Sequence, residues 1–374
     1  MTEIKKRLAS LDIFRGLTVA AMILVNTPGD WNQIYAPLEH SKWNGCTPTD
    51  VVFPAFLFIV GVSIVYALQK KRERHELHKA IILHGLRRMV LLILFGLGIF
   101  LFYRPSISTL RYPGVLQRIG VVYFIAMLCY LKLSRRVLSF IIIFCLLGYY
   151  LALTLIPLPG GLSPNLEPAT NLGAFIDRFV FGIHHLYPYT KTWDPVGLLS
   201  TIPSIATTLL GIKVGEVLKD QKTNAFSKIQ KLLLSGVLAV IAGIIWGLFF
   251  PINKSLWTSS YVLYTAGICT IMLTLIYWCV DVCNKGKAIF WPFLVFGMNA
   301  LSAYILSEIL PGVIDFIRIP VKNGTISGMK WLYSQVFVQY FTEKTASLLS
   351  AICFVLLMWL IMLVFYKKKI VIKV

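Results

Sequence analysis

The chain has 374 residues, 57% of them hydrophobic and only 14% charged, with a mean hydropathy of +0.75. That charged share is roughly half the globular norm of about 25%, too little to surface a soluble domain, and the composition excludes disordered, collagen-like and disulfide-scaffold classes. The balance of 36 Lys+Arg against 16 Asp+Glu leaves +20, which in a soluble protein would suggest nucleic acid but in a membrane protein asks which side the positive charge occupies.

A helix needs about 20 mostly apolar residues to cross the hydrocarbon. The apolar runs predict an all-α, polytopic transmembrane helix bundle of about ten spans, forming a single domain over 1–374: 14–27, 50–69, 89–103, 113–131, 137–156, 198–218, 232–250, 260–281, 291–311 and 345–366. The first run superficially resembles a signal peptide. Asp12 and Arg15 interrupt it and no clean small-residue cleavage site follows, so it reads as a retained helix. Lys and Arg decide the orientation. With the N-terminus cytoplasmic, 23 of them fall on inner segments, concentrated at 5–7, 70–88, 132–136, 219–231, 285–287 and 367–373, and 10 fall on outer loops. Both termini are therefore placed in the cytoplasm. Outer loops 28–49, 157–197 and 312–344 are long, aromatic and rich in polar residues, which is where function tends to live.

Charges at membrane depth are costly and each asks for a reason. Asp12 and Arg15 stand i, i+3 on a helix and can pair. A cap and membrane-edge anchor explains them, and so does a cytoplasmic entry for a phosphate-bearing ligand. The densest polar run begins at Asn26–Asp30 and continues through Glu39-His40-Ser41-Lys42-Trp43-Asn44-Gly45 to Thr47–Asp50. It closes directly into the apolar stretch 51–64, which Thr49 or Asp50 suits as a cap. Histidine is the side chain that changes charge near neutral pH, as a general base must, although a lone loop histidine is more often a hydrogen-bonded surface residue. Further on, Gln117 and Arg118 fall inside the fourth span, Asp194 stands where it can cap the sixth, and Asn299 is mid-membrane in the ninth. Interhelical hydrogen bonds, worth about 1 kcal/mol each, are the ordinary explanation of all three patches, and for Asn299 and Gln117 explain them at least as well as catalysis does. The Gly211–Gly215 pair reads as helix packing.

Other chemistry finds no support. There is no P-loop, Rossmann fingerprint, HExxH or GxSxG elbow. The pairs His75/His78 and His184/His185 lack carboxylates at metal spacing, and the seven cysteines lie mostly within apolar runs, so neither a metal site nor a disulfide framework is expected.

Ordered blocks of sequence supply a resemblance. They are Arg7-Leu-Ala-Ser-Leu-Asp12-Ile-Phe-Arg15-Gly16, Val25-Asn26, His40-Ser-Lys-Trp43-Asn44-Gly45, Asp50-Val-Val-Phe-Pro54 with Gly61, and Gly114-Val-Leu-Gln117-Arg118. Ile176-Asp177-Arg178, Asp194-Pro-Val-Gly197, Pro251-Ile-Asn253-Lys254-Ser-Leu-Trp257 and Gly297-Met-Asn299 follow. In this order the chain resembles the transmembrane acetyltransferases typified by heparan-alpha-glucosaminide N-acetyltransferase. The resemblance implies an acyltransferase that moves an acetyl group from cytoplasmic acetyl-CoA to an acceptor amine, such as a terminal glucosamine, on the other side of the bilayer. It places the catalytic histidine at His40 and its paired asparagine at Asn26. His40 would then act as general base or carry the acetyl group covalently, and Asn26 would donate to the oxyanion.

Beside the resemblance, Asp50 suits orientation of the imidazole, and Trp43, Asn44 and Asp194 suit the acceptor. Arg15, with Arg87 or Arg88, suits the CoA phosphates, while Gln117, Arg118 and Asn299 suit a polar lining for the thioester. The chain starts at the Arg-Leu-x-Ser-Leu-Asp block, which suggests a bacterial relative in the cytoplasmic membrane. The family suggests a homodimer, with no nucleic-acid partner expected. Two rival readings remain: acylation of a hydroxyl on a cell-envelope glycan, and a transporter or flippase, since polar residues at the midplane also suit transport.

Overall fold

In the structure, a computed structural model, residues 8–73, 78–159, 161, 163–321 and 324–372 are described. Arg7, at the head of the first motif block, and His75 lie outside them, as do Lys5, Lys6, Arg74, Lys322 and Lys373 of the orientation count. The helices are α1 (Ala9–Asn26), α2 (Val52–Glu73), α3 (His78–Tyr103), α4 (Val115–Lys132), α5 (Arg135–Leu155) and the short α6 (Leu172–Phe181). They continue as α7 (Thr201–Lys219), α8 (Ala225–Gly247), α9 (Ser259–Ile276), α10 (Lys287–Met298) and α11 (Ala300–Asp315). An antiparallel hairpin of β1 (Arg318–Val321) and β2 (Gly324–Ser327) follows, then α12 (Gly328–Leu332) and α13 (Glu343–Lys367). Among the described residues nine helices are long and apolar enough to cross a membrane, or ten if the bent pair α10–α11 counts as one span.

The expected spans are present, with two instructive differences. The first helix starts at Ala9, ahead of the predicted 14, so Asp12 and Arg15 lie within it. Local pairing makes that tolerable. Arg15 Nη1 donates to Asp12 Oδ1 at 2.6 Å, and the first-turn amides of Ala9 and Ser10 donate to the Asp281 carboxylate at 3.3 and 3.0 Å. An acid at a helix N-terminus meets both the orphan N–H groups and the positive end of the dipole. The ninth predicted span, 291–311, is two helices. They break at Asn299, whose φ/ψ of −129°/42° is not helical, and the chain bends there by 76°. Helices α3 and α8 also extend beyond the N-terminal ends of their predicted runs into basic sequence.

The chain divides into two units. The first comprises Met1–His40, Thr47–Val52 and Met272–Lys373. Within it α1 packs closely on α10. A Cβ added at Gly16 would stand 1.7 Å from the Phe293 carbonyl oxygen, and one at Gly297 would stand 1.8 Å from the Asp12 carbonyl oxygen. Small residues let membrane helices approach in this way.

The second unit comprises Ser41–Cys46 and Phe53–Ile271. Leu57 and Ile64 of α2, Val122 and Met127 of α4, Leu138 of α5, Leu209 and Ile212 of α7, and Trp257 and Tyr261 share its core. Gly211 belongs to this packing, since a Cβ there would meet the Phe58 carbonyl oxygen at 2.1 Å. The far side of α5 leaves Phe140, Phe144 and Leu151 exposed, a surface suited to lipid.

Candidate functional site

The polar run after α1 folds into short, capped turns. Thr47 begins a 3-10 turn, Pro48–Val51, through a capping box with Asp50. The Asp50 carboxylate is fully buried. Its Oδ2 accepts from the Thr47 backbone N–H at 3.1 Å, and its Oδ1 stands 2.8 Å from His40 Nδ1. The Thr47 hydroxyl donates to the Glu39 carbonyl at 2.7 Å, tying the residue before His40 to the same turn. The sequence reading offered Thr49 or Asp50 as the cap; the N-cap is Thr47, with Asp50 as its capping-box partner, and the same carboxylate stands against the imidazole. With the Nδ1 proton directed at Asp50, the ring lone pair lies on Nε2, the arrangement of an oriented general base. His40 is half-exposed.

Asn26 is the last residue of α1, and its Nδ2 donates to Glu308 Oε1 of α11 at 3.3 Å. Sequence reasoning gave Glu308 no role. The available signal was a lone acid in the apolar run Ala300–Pro311.

The other candidates of the first unit are engaged with backbone. Arg15 Nη1 also reaches the Gly297 carbonyl at 3.3 Å. Asn299 donates to the Ile370 carbonyl at 3.0 Å and accepts from the Ile372 amide at 3.4 Å. Its amide therefore braces the helix break against the C-terminal segment.

In the second unit Trp43 packs edge-on against Trp193, with ring centroids 5.1 Å apart, and its Nε1 donates to the Leu166 carbonyl at 3.0 Å. Asn44 Oδ1 accepts from Asn253 Nδ2 at 3.2 Å, beside a bridge between Gly45 and Asn253. The loop Ser41–Cys46 is thus anchored to the turns before α7 and α9.

Asp194 does not cap α7, which starts at Thr201. Its carboxylate instead takes a two-pronged ion pair from Arg111, at 2.8 and 2.6 Å, and the Val196 amide at 2.8 Å. The paired guanidinium satisfies a buried charge that a distant helix end could not. Asp177, on α6, accepts from the Leu198 amide at 2.8 Å. Burial pushes its carboxyl up to about 6, and the Asp194 charge adds to this against the Leu198 hydrogen bond.

Arg118 and Gln117 on α4 are buried side by side in sequence, with different fates. Arg118 Nη2 donates to the Gly197 carbonyl at 2.8 Å and to Ser200 Oγ at 2.5 Å, and its guanidinium lies 5.2 Å from the Trp257 ring centroid. Its Nε and Nη1, and both amide atoms of Gln117, have no hydrogen-bond partner among the described residues. Unmet buried donors cost about 1–3 kcal/mol each. This is polar capacity that a bound acyl carbonyl or phosphate would satisfy. Arg88, offered for the CoA phosphates, stacks over Tyr123 at 4.6 Å.

Among the described residues no group of three or more His, Cys, Asp and Glu is arranged to hold a metal ion.

The family model described as "Heparan-alpha-glucosaminide N-acetyltransferase, catalytic" matches residues 7–250. Over 362 residues the chain is 32% identical to the mouse protein named heparan-alpha-glucosaminide N-acetyltransferase, a match covering 83% of this chain and 54% of that one. The human protein of the same name is 29% identical over 368 residues, covering 84% and 55%. The chain spans about half the length of the curated relatives it matches. His40, Asn26 and Asp50 lie inside the matched region, whereas Asn299 and Glu308 lie beyond it. With well over half its length matched, the chain belongs to the heparan-alpha-glucosaminide N-acetyltransferase catalytic family.

Proposed function

We propose that the chain is a transmembrane acetyltransferase that takes an acetyl group from acetyl-CoA on the cytoplasmic side and delivers it to an acceptor amine, an amino sugar, on the opposite side. The observation that carries this reading is the hydrogen bond of 2.8 Å between His40 Nδ1 and the buried Asp50 carboxylate. It supplies an oriented imidazole with its basic nitrogen at Nε2, which removes a proton from the amine as it attacks the thioester carbon. The C–S bond then breaks, and the CoA thiolate leaves with that proton. Asn26 has two amide N–H groups. Glu308 takes one, and the second donates to the developing oxyanion. Gln117 and Arg118, with their unmet donors, are assigned to the acyl donor, and Trp43 and Asn44 to the acceptor. Family membership and the apolar helices support this reading over a transporter.

The test uses purified full-length protein, acetyl-CoA and glucosamine, with free CoA as the readout. His40→Ala should lower acceptor-dependent CoA release by about 10²–10⁴-fold, while acetyl-CoA binding by calorimetry stays within about two-fold of wild type. Normal turnover in the variant would overturn the assignment.

A further inference from the structure

We propose that Glu308 is a further catalytic residue, the carboxylate at which the acceptor's ammonium docks and loses its first proton. This rests on the acetyltransferase reading above. Glu308 is the one acid among the fifteen residues of α11 that precede Asp315. A carboxylate in an apolar helix needs a partner or a purpose, and one side chain that Glu308 meets is Asn26, whose Nδ2 donates to it at 3.3 Å.

That contact fixes the sense of the Asn26 amide. With its nitrogen toward Glu308, the amide oxygen is turned away from the carboxylate, and Asn26 itself is exposed at the end of α1. The pair therefore presents one anionic oxygen group and one neutral carbonyl oxygen, two acceptors of hydrogen bonds. An ammonium offers three N–H donors and one positive charge, and so matches them. A hydroxyl offers a single donor without charge and matches poorly. The site thereby selects amines over alcohols.

It also solves a proton problem. The primary amine of an amino sugar is largely protonated at neutral pH, by analogy with an α-amino group at about 7.7–8.0, and an ammonium has no lone pair for attack. One of its three protons passes to Glu308, leaving R–NH2. The nitrogen lone pair forms the new N–C bond, the C–S bond breaks, and the second proton passes through His40 to the CoA thiolate. The third stays on the amide nitrogen. Glu308 returns its proton to solvent, so that the sum is R–NH3⁺ plus acetyl-CoA giving R–NH–acetyl, CoA–SH and H⁺.

The experiment measures the affinity of the purified full chain for glucosamine and for glucose, its uncharged hydroxyl counterpart, by calorimetry. Steady-state turnover of glucosamine with acetyl-CoA is followed alongside. In wild type, glucosamine should bind at least ten-fold tighter than glucose. Glu308→Gln should reduce that preference to under two-fold and raise KM for glucosamine at least ten-fold, while KM for acetyl-CoA is unchanged. Glu308→Asp, which keeps the charge on a shorter arm, should show a reduced preference, intermediate between wild type and Glu308→Gln. Should the Gln variant fail to fold, Glu308→Asp still decides: a shorter charged arm should weaken glucosamine binding and leave glucose binding unchanged. An unaltered amine preference in either folded variant overturns the proposal. A wild type that binds glucosamine but never turns it over would sink the acetyltransferase reading, and the binding comparison would still decide Glu308.

Discussion

A buried carboxylate does different work according to what meets its two oxygens. Asp50 divides them between an imidazole and a backbone amide, so the group that orients His40 is itself immobilised by the turn that starts α2. Asp177 accepts from the Leu198 amide but is buried beside a second acid, and burial raises its carboxyl from the ordinary 3.8 to about 6. The folded protein thus binds this proton more tightly than the unfolded chain does. The stability this contributes is fully present below about pH 4 and is lost as pH rises through 6, to a total of at most about 3 kcal/mol. Thermal melts in detergent between pH 4.5 and 7.5 should therefore fall less steeply with pH in Asp177→Asn than in wild type. Parallel slopes would contradict the assignment. The contact of His40 with Asp50 was within reach of the sequence because polar residues crowd together there within a few turns of chain, whereas the role of His40 came from the family resemblance. Glu308 was not, because its partner Asn26 is 282 residues away, and no local pattern records a contact of that range. Asp194 was misread for the same reason: its guanidinium partner Arg111 comes from another loop.

Helices in this chain are punctuated by polar devices that apolar periodicity does not show. Ser134, Asn171 and Asn224 cap α5, α6 and α8 through amides three residues on, whereas α1 borrows its cap from Asp281. Hydropathy located the spans, since length and apolar content suffice for that. It missed the break at Asn299, because a single polar residue barely lowers the hydropathy of a long window. It also missed the β1–β2 hairpin, whose four-residue strands lie in a stretch read as an outer loop. The close approach of α1 and α10 yields a direct test. Gly16→Ala places a methyl against the Phe293 carbonyl and should destabilise the protein by about 1–3 kcal/mol through overpacking, read as a lower melting temperature. Gly148→Ala, with nothing within 4 Å of its added carbon, should be neutral or slightly stabilising, as expected in an open helix position.

At the scale of the molecule, we propose that the excess of +20 is a sidedness signal. The reading that puts basic residues 70–88 and 367–369 in the cytoplasm predicts that a fluorescent protein fused after the C-terminus folds and emits. A periplasmically activated phosphatase at the same position should stay inactive. Reversed signals would invert the proposed direction of transfer. The family supplies the chemistry and the sequence the spans, but neither records which polar groups are left with unmet capacity. Gln117 and Arg118 stand out in the sequence, but their unmet capacity is a property of the folded chain alone.

The cap that Asp281 provides to α1 has a consequence for biosynthesis. Helix α1 is translated long before its amino-end partner Asp281 and its packing partner α10. During translation α1 must therefore sit in the membrane with Ala9 and Ser10 uncapped, held by its own hydropathy and flanking charge. Its final seating is a late, post-insertion event. The same event brings Asn26, at the end of that helix, to Glu308, so the amide proposed for chemistry acquires its carboxylate only after a further 282 residues have been made.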